Sequence, residues 1–340
     1  MKFINVLDIL NNDFITYANI VGKVDVDSNI IEKFSVQYGD VLFQRSSETR
    51  EEVGTANVYL DEQKNATFGG FVIRGRKIGD YEPTFFNNLL KTDSARESIT
   101  TKSGGSTRFN VGQEVLSSIA LYFPSLLEQG KISNFLSHLD KRLSTQKKII
   151  EVLKTFKVQT RKKLLVKIIK EDYEPLLVKE ILNYEQPTKY IVLNTDYSDD
   201  KALIPVLTAN KSFILGYADG NFGVYDKGNC IILDDFTMDL KYVNFPFKVK
   251  SSAIKILTAK DGINLKFVFE YFSFLNFSSN EHKRHYISEI EKMSIVLPKT
   301  EVQNNIARFL TVLDEKINLE IDLLSQYELQ KKYLLSNLFV

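Results

Sequence analysis

The sequence predicts an α+β chain. Two globules with mostly antiparallel sheets alternate with two long helices, which pair antiparallel as a coiled coil in a pseudo-twofold arrangement. Three observations predict it: a segment that recurs without a gap, a heptad seam running on from each copy, and a stretch rich in β-branched and aromatic residues ahead of each copy.

The repeat comes first because it fixes the order of parts. Pro124, Gln129, Ile132, Phe135, Leu136, Leu139 and Asp140 reappear as Pro298, Gln303, Ile306, Phe309, Leu310, Leu313 and Asp314, every one 174 positions later (298 − 124 = 174). A constant offset over seven identities marks a tandem duplication.

From each copy the apolar residues continue in alternating steps of four and three. The first series is Ile132, Leu136, Leu139, Leu143, Gln146, Ile150 and Leu153; the second is Ile306, Leu310, Leu313, Ile317, Glu320, Leu324 and Tyr327. This is a heptad seam with one polar residue at the matching place in each copy. Proline stands just before each helix, where it is tolerated. About 40 residues at 1.5 Å per residue span roughly 60 Å, far more than an ordinary domain helix, which favours pairing of the two helices over packing of each on its own globule. Ile132, Leu136, Leu139, Leu143, Ile306, Leu310, Leu313 and Ile317 are the expected helix-pairing and partner-docking residues.

The preceding stretches carry short β-rich runs, Asp40–Gln44, Gly70–Arg74, Cys230–Asp234 and Ser252–Leu257, separated by Gly, Asn and Asp turns. The chain therefore divides into 1–123, a first globule; 124–171, the first long helix; 172–297, a second globule; and 298–340, the second long helix. With paired helices and a pseudo-twofold axis, the globules are expected at opposite ends of a rod, able to touch two separated places on a linear polymer.

Composition excludes several classes. With 44% hydrophobic and 26% charged residues, 24 Phe, 16 Tyr and no Trp, the chain can build ordinary cores. Cys230 is the single cysteine and has no internal disulfide partner. Asp8 interrupts the apolar start, and no run approaches the roughly 20 apolar residues a membrane crossing needs, so a cytoplasmic protein is expected. The net charge of +1 is low for a lone nucleic-acid binder, but residues 141–170 hold eleven Lys or Arg against one acid, Glu151. Such a block suits either a solvated helix face or a phosphate backbone or acidic partner.

No catalytic constellation is visible. Gly70–Gly75 continues as Arg76-Lys77 rather than Lys-Ser/Thr, so it is not a phosphate loop. Neither a dinucleotide fingerprint nor a nucleophile elbow is present. His282 and His285 lack further ligands, so no metal is expected; Asp199-Asp200 and Asp234-Asp235 suit turns or caps better than a nuclease centre. The chain is read as non-catalytic.

Two stretches suit DNA. The first contains Lys102, Gly104, Gly105, Ser106, Thr107, Arg108 and Asn110. Paired glycines let backbone N–H groups approach phosphate, Arg can grip guanine with two donors, and Asn can do the same for adenine. The second contains His282, Lys283, Arg284 and His285. Arg108 and His282 are also 174 apart, so the two stretches hold similar positions in the duplicated units. Gln44, Arg45 and Ser46 follow an expected strand and form a further candidate reader; Tyr217, Asp219 and Asn221 form a weaker one.

Alternating variable globules and repeated helices resemble the specificity subunits of type I restriction–modification systems. The helix openings, Pro-x4-Gln-x2-Ile-x2-Phe-Leu-x2-Leu-Asp from Pro124 and Pro298, look like that family's repeated regions. Residues 185–257 (Glu185–Tyr190, Pro205–Ala209, Gly216-Tyr217, Asp234–Thr237 and Phe247–Ser252) and 39–75 (Gly39-Asp40, Gln44–Thr49 and Phe68–Gly70) look like its target-recognition domains. The resemblance implies that each globule reads one half of a bipartite double-stranded DNA target. It also implies that the helices set the spacing and dock two adenine-methyltransferase subunits, and that motor–nuclease subunits join them. S-adenosylmethionine, ATP and Mg are then expected on the partner subunits, with no cofactor bound by this chain. For this family the lead-in before residue 39 is short, which puts the first globule's completeness in question. Two other readings remain at this point: a free-standing bipartite DNA-binding or architectural protein without methyltransferase partners, and a metal-dependent nuclease using Asp234 or Asp235.

Overall fold

The computed structural model describes residues 1–27, 31, 33–194, 196–208, 212–220, 222–277 and 285–339. The chain forms two compact units. The first comprises Met1–Lys148 and Asp322–Val340, and the second Ile149–Ile321, so each holds part of both long helices.

In the first unit the strands are β1 (Phe3–Ile4), β2 (Val41–Gln44), β3 (Ser46–Ser47), β4 (Ala56–Val58), β5 (Thr67–Phe68), β6 (Val72–Gly75) and β7 (Phe109–Asn110). Helices α1 (Val6–Leu10), α2 (Pro83–Leu89), α3 (Asp93–Thr100) and α4 (Gln113–Ser117) are interspersed with them. The main sheet runs β4-β2-β6 and is antiparallel throughout, with Val41 opposite Val58 and Gln44 opposite Val72. Ile4, Ile9, Ile15, Ile20, Leu42 and Val72 form its principal core.

The second unit follows the long helix α5 (Leu126–Ile169). It holds β8 (Pro175–Leu177), α6 (Val178–Ile181), β9 (Leu182–Glu185), β10 (Ile204–Leu207), β11 (Ile214–Ala218), β12 (Cys230–Asp234), β13 (Leu240–Val243), β14 (Lys248–Val249) and β15 (Ile254–Ala259). Then come α7 (Leu265–Leu275), β16 (Ser294–Val296) and the long helix α8 (Thr300–Asn337). The four-stranded sheet β13-β12-β15-β9 is wholly antiparallel, while the smaller β11-β10-β14 sheet joins an antiparallel to a parallel pair. Strand β12, Cys230-Ile-Ile-Leu-Asp, is buried on both faces, which explains why it reads as a continuous apolar run rather than an alternation.

The duplication extends into the globules. In the first unit the backbone N–H of Gln44 donates to the Thr55 carbonyl (2.8 Å), that of Arg45 to Phe71 (2.9 Å), and that of Val111 to Arg45 (3.0 Å). In the second, Asp234 donates to Asp239 (2.9 Å), Asp235 to Ala253 (2.9 Å), and His285 to Asp235 (3.2 Å). Each unit thus ends its central strand with the same three bonds.

The repeated glutamine has the same duty in both copies. Gln129 Nε2 donates to the Pro124 carbonyl (2.9 Å) and its Oε1 accepts from Glu82 N (3.0 Å), the residue that caps α2. Gln303 Nε2 donates to Pro298 (2.8 Å) and its Oε1 accepts from Asn264 N (2.9 Å), the cap of α7. A buried amide with both ends satisfied fixes the start of each long helix to the first turn of a globule helix.

The long helices contain 44 and 38 residues. In the first unit Asp140 pairs with Lys331 (2.6 Å) and Lys147 with Glu328 (3.8 Å), so later residues on α5 meet earlier ones on α8 and the two run antiparallel. In the second unit Asp314 pairs with Lys157 (2.6 Å). The pairs 140–331 and 157–314 are one contact carried through the 174-residue offset, with the helices exchanged. Leu136, Leu139, Leu143, Leu310 and Ile317 are buried, and Ile132, Ile306 and Leu313 partly so, as a seam requires. The polar seam residues Gln146 and Glu320 are buried too.

Candidate nucleic-acid interface

In the first unit the fold brings together stretches some 60 residues apart in sequence. After Gln44 the chain continues through Arg45 into β3, which pairs with β7, placing Ser46 opposite Asn110 and Ser47 opposite Phe109. Ser46 Oγ donates to Asn110 Oδ1, and Asn110 Nδ2 donates to the Arg108 carbonyl (3.0 Å). The loop closes on itself: Gly104 N donates to the Asn110 carbonyl (3.0 Å) and Asn110 N to that of Gly104 (2.8 Å). Gly105 sits at φ +120°, and a Cβ there would fall 2.0 Å from the Arg108 carbonyl oxygen, so only glycine makes this turn. The turn carries Ser106, Thr107 and Arg108 outward, all exposed.

The remaining candidates of this unit divide by burial. Arg45 is exposed, and among the described residues its side chain has no ion-pair partner. Arg108 lies 3.9 Å from Glu48, a loose pair with both side chains in solvent, which a phosphate or a base edge can displace at little cost. Lys102 Nζ donates to Ser118 O (3.0 Å) and Oγ (3.2 Å) at the surface. Gln44 is turned inside, its Nε2 donating to the Ser46 carbonyl (2.9 Å). It holds the Arg45–Ser46 turn and presents no edge outward. The face as a whole offers Arg45, Lys102, Ser106, Thr107 and Arg108 to a ligand.

In the second unit His282, Lys283 and Arg284 lie outside the described residues. His285, which closes that stretch, is buried, with Nδ1 3.1 Å from a Glu289 carboxylate oxygen. Its backbone N–H and that of Tyr286 both donate to Asp235 Oδ1 (3.0 and 2.8 Å). Asp235 also pairs with buried Lys255 (3.3 Å). Asp234 Oδ1 accepts from the N–H groups of Phe236 and Thr237 (2.9 Å each). Both acids are therefore used in building a turn. His285 anchors the loop base, because an imidazole that close to Glu289 and out of solvent has no face left for DNA. Tyr217 and Asp219 line a cleft of about 450 Å³ beside Leu193 and Phe222, two large apolar side chains standing almost wholly in solvent.

The basic block of α5 also divides. Lys157 and Arg161 turn inward onto Glu270, a carboxylate with no solvent exposure, at 2.9 and 3.2 Å. Lys266 joins Glu270 and Asp314 at 2.9 Å each. Burial alone would raise the Glu270 carboxyl, but the Lys266 and Lys157 charges outweigh it and hold it below the ordinary value. The other nine basic residues of the block are exposed. Glu270 carries no sequence signal of this role, since it sits alone in the apolar run Phe267–Phe274. Phe71, opposite Arg45, was likewise missed as a surface residue because its neighbours read as a core strand.

The family model described as type I restriction modification DNA specificity domain matches residues 1–155 and 170–328. The chain is 40% identical over 174 residues to the EcoR124I/EcoR124II type I restriction enzyme specificity subunit of Escherichia coli. That match covers 47% of this chain and 42% of the relative, so it spans under half of the relative's length. It is 23% identical over 350 residues to a putative type I restriction enzyme MjaX specificity subunit of Methanocaldococcus jannaschii, covering 92% of this chain and 80% of that one. In fold it is similar to the type I restriction-modification S subunit from M. genitalium, with a TM-score of 0.61 and 16% identity over 96% of this chain and 88% of that one.

Proposed function

The chain belongs to the type I restriction modification DNA specificity domain family, and from that premise we propose that it is the DNA-reading subunit of a type I restriction–modification complex. Each unit reads one half of a bipartite double-stranded target. The observation that carries this reading is the repeated end of the central strand. Both units close it with the same three backbone bonds, yet the first puts exposed Arg45 and Phe71 there, where the second has the buried turn aspartate Asp235 and Ala253. One scaffold with two different tips is what two different half-sites require, because backbone bonds fix position while side chains choose bases.

The chain supplies no catalysis in this reading. Asp234 and Asp235, the acids of the nuclease alternative, are bonded to backbone N–H groups at a turn. S-adenosylmethionine, ATP and Mg belong to the partner subunits: two adenine methyltransferases and the motor–nuclease subunits.

The helices supply the docking faces. Outside the seam each carries a stripe with heptad spacing: Phe135, Arg142 and Ile149 on α5, and Phe309, Lys316 and Leu323 on α8. All six are exposed, and each pair is related by the 174-residue offset. A duplicated apolar–basic–apolar stripe suits two copies of one partner. Co-expression with the methyltransferase and native mass spectrometry test this. The parent forms a complex with two methyltransferases per chain, and Phe135→Asp or Phe309→Asp each leaves one. A chain that stays alone yet binds split DNA sites at full affinity would establish the free-standing DNA-binding reading instead.

A further inference from the structure

Phe71 is two-thirds exposed, although it is a large apolar side chain at the mouth of a strand. A single exposed phenylalanine is ordinary on any protein surface, so its position must carry the argument. Strands β2 and β6 pair antiparallel with Phe43 opposite Ile73 and Gln44 opposite Val72, where the ladder ends, and Phe71 lies just beyond it in the turn closed by the Val72 N–H to Gly69 carbonyl bond (2.9 Å). The Arg45 N–H to Phe71 carbonyl bond (2.9 Å) closes that step. That bond keeps Phe71 beside Arg45 at the end of the ladder. On its other flank Arg45 is bound by the Val111 N–H, where the Gly104–Asn110 loop returns. The exposed arginine is thus bracketed by the loop of Ser106, Thr107 and Arg108 on one side and by Phe71 on the other.

Behind Phe71 the chain is Gly69-Gly70, and nothing lies within 4 Å of where a Gly70 Cβ would be, so a groove wall can approach this edge. The second unit places Ala253 at the equivalent position and a buried aspartate, Asp235, where Arg45 stands. The aromatic is therefore not a requirement of the shared scaffold.

We propose that Phe71 is a specificity-determining residue of the first unit, packing on the 5-methyl group of a thymine adjacent to the base read by Arg45. The proposal rests on the DNA-reading function above. Apolar contact is how a protein recognises the thymine methyl in the major groove, and arginine beside it supplies paired donors to guanine O6 and N7. Two side chains held side by side by one backbone bond can meet neighbouring base pairs, which stack about 3.4 Å apart.

The test uses the full chain in complex with its methyltransferase and a pool of random duplexes, from which bound sequences are selected. In the parent's selected duplex, each thymine of the first half-site is replaced singly by deoxyuridine, which removes only the methyl. One replacement is expected to weaken parent binding about fourfold, the worth of one buried methyl-sized group. For Phe71→Ala that replacement has no effect, and selection no longer distinguishes thymine there. Phe71→Leu retains part of the sensitivity. A Phe71→Ala variant that selects the same sequences with the same uridine sensitivity overturns the proposal. So does one that binds every sequence equally less well, which would make Phe71 a stacking wedge. A parent that selects no sequence at all removes the DNA-reading function itself, and this inference with it.

Discussion

Arg45 and Arg108 have no strong internal duty: one stands in solvent and the other is only loosely paired with Glu48. Arg45→Ala or Arg108→Ala should leave thermal stability unchanged while costing about 1–3 kcal/mol in binding to the parent's target and relaxing one base position of the first half-site. Duplex binding to single-base variants of the target reads this out, and equal binding by both variants and the parent would remove them from the reading face. Gln129 and Gln303 are the opposite kind of residue. Each joins a proline carbonyl to a helix cap, and each is buried. Replacing either with alanine should cost about 2 kcal/mol in urea unfolding, because a buried N–H and a buried carbonyl both lose partners. These glutamines were visible in the sequence as part of the repeat, but their bonds to Glu82 and Asn264 were not. Those partners lie 47 and 39 residues away, in loops of unlike composition.

At the scale of elements, α7 is fixed to the long helices by charge as well as by its apolar face. Glu270 and Asp314 draw in Lys157, Arg161 and Lys266. For Asp314 too, burial would raise the carboxyl, but hydrogen bonds from Lys157 and Lys266 hold it below its ordinary value. Folding therefore favours the ionised form of both acids. Their contribution is complete above the ordinary values of 4.5 and 3.8 and is lost as pH falls through the depressed folded ones. Lys266 is the converse. Burial would lower it, but Glu270 and Asp314 raise it above 10.5, so its contribution persists up to that pH and is lost above the raised value. The second unit should thus lose stability in acid below about pH 4. Glu270→Gln, which leaves three cations around a neutral amide, should cost about 3 kcal/mol at pH 7 and show a shallower acid loss. Urea unfolding of parent and variant from pH 3 to pH 7 measures both. Parallel curves would mean that the acid dependence comes from elsewhere. The basic block of α5 was legible as a lopsided run, but its division into Lys157 and Arg161 inward and nine residues outward depends on the position of Glu270, which only the fold supplies.

For the whole molecule, the helices were readable because their repeat keeps one offset without a gap. The two globules were readable as separate β-rich stretches, but the matching of their strands was not, because their earlier loops differ in length. Arg45 corresponds to Asp235 at an offset of 190 (235 − 45), Phe71 to Ala253 at 182 (253 − 71), and Val111 to His285 at 174 (285 − 111). The last pair keeps the helices' offset, but only hydrogen bonds recover the first two, since backbone pairing survives changes of side chain and loop that erase sequence likeness. Arg45, Lys102, Ser106, Thr107 and Arg108, expected on the DNA face of the first unit because their types suit base edges, are all exposed. Gln44 and His285 were of the right type but lie inside, a distinction of burial that composition does not carry.

In the proposed function two related units read two separate half-sites for one methyltransferase pair. Long-read mapping of modified bases in DNA from cells expressing this chain with its methyltransferase tests it most directly. The expected result is a single new motif of two short specified halves around unspecified bases, with methyladenine on both strands, and an Arg45→Ala motif relaxed in one half only. A contiguous motif, or an Arg45→Ala change that alters both halves at once, would contradict it.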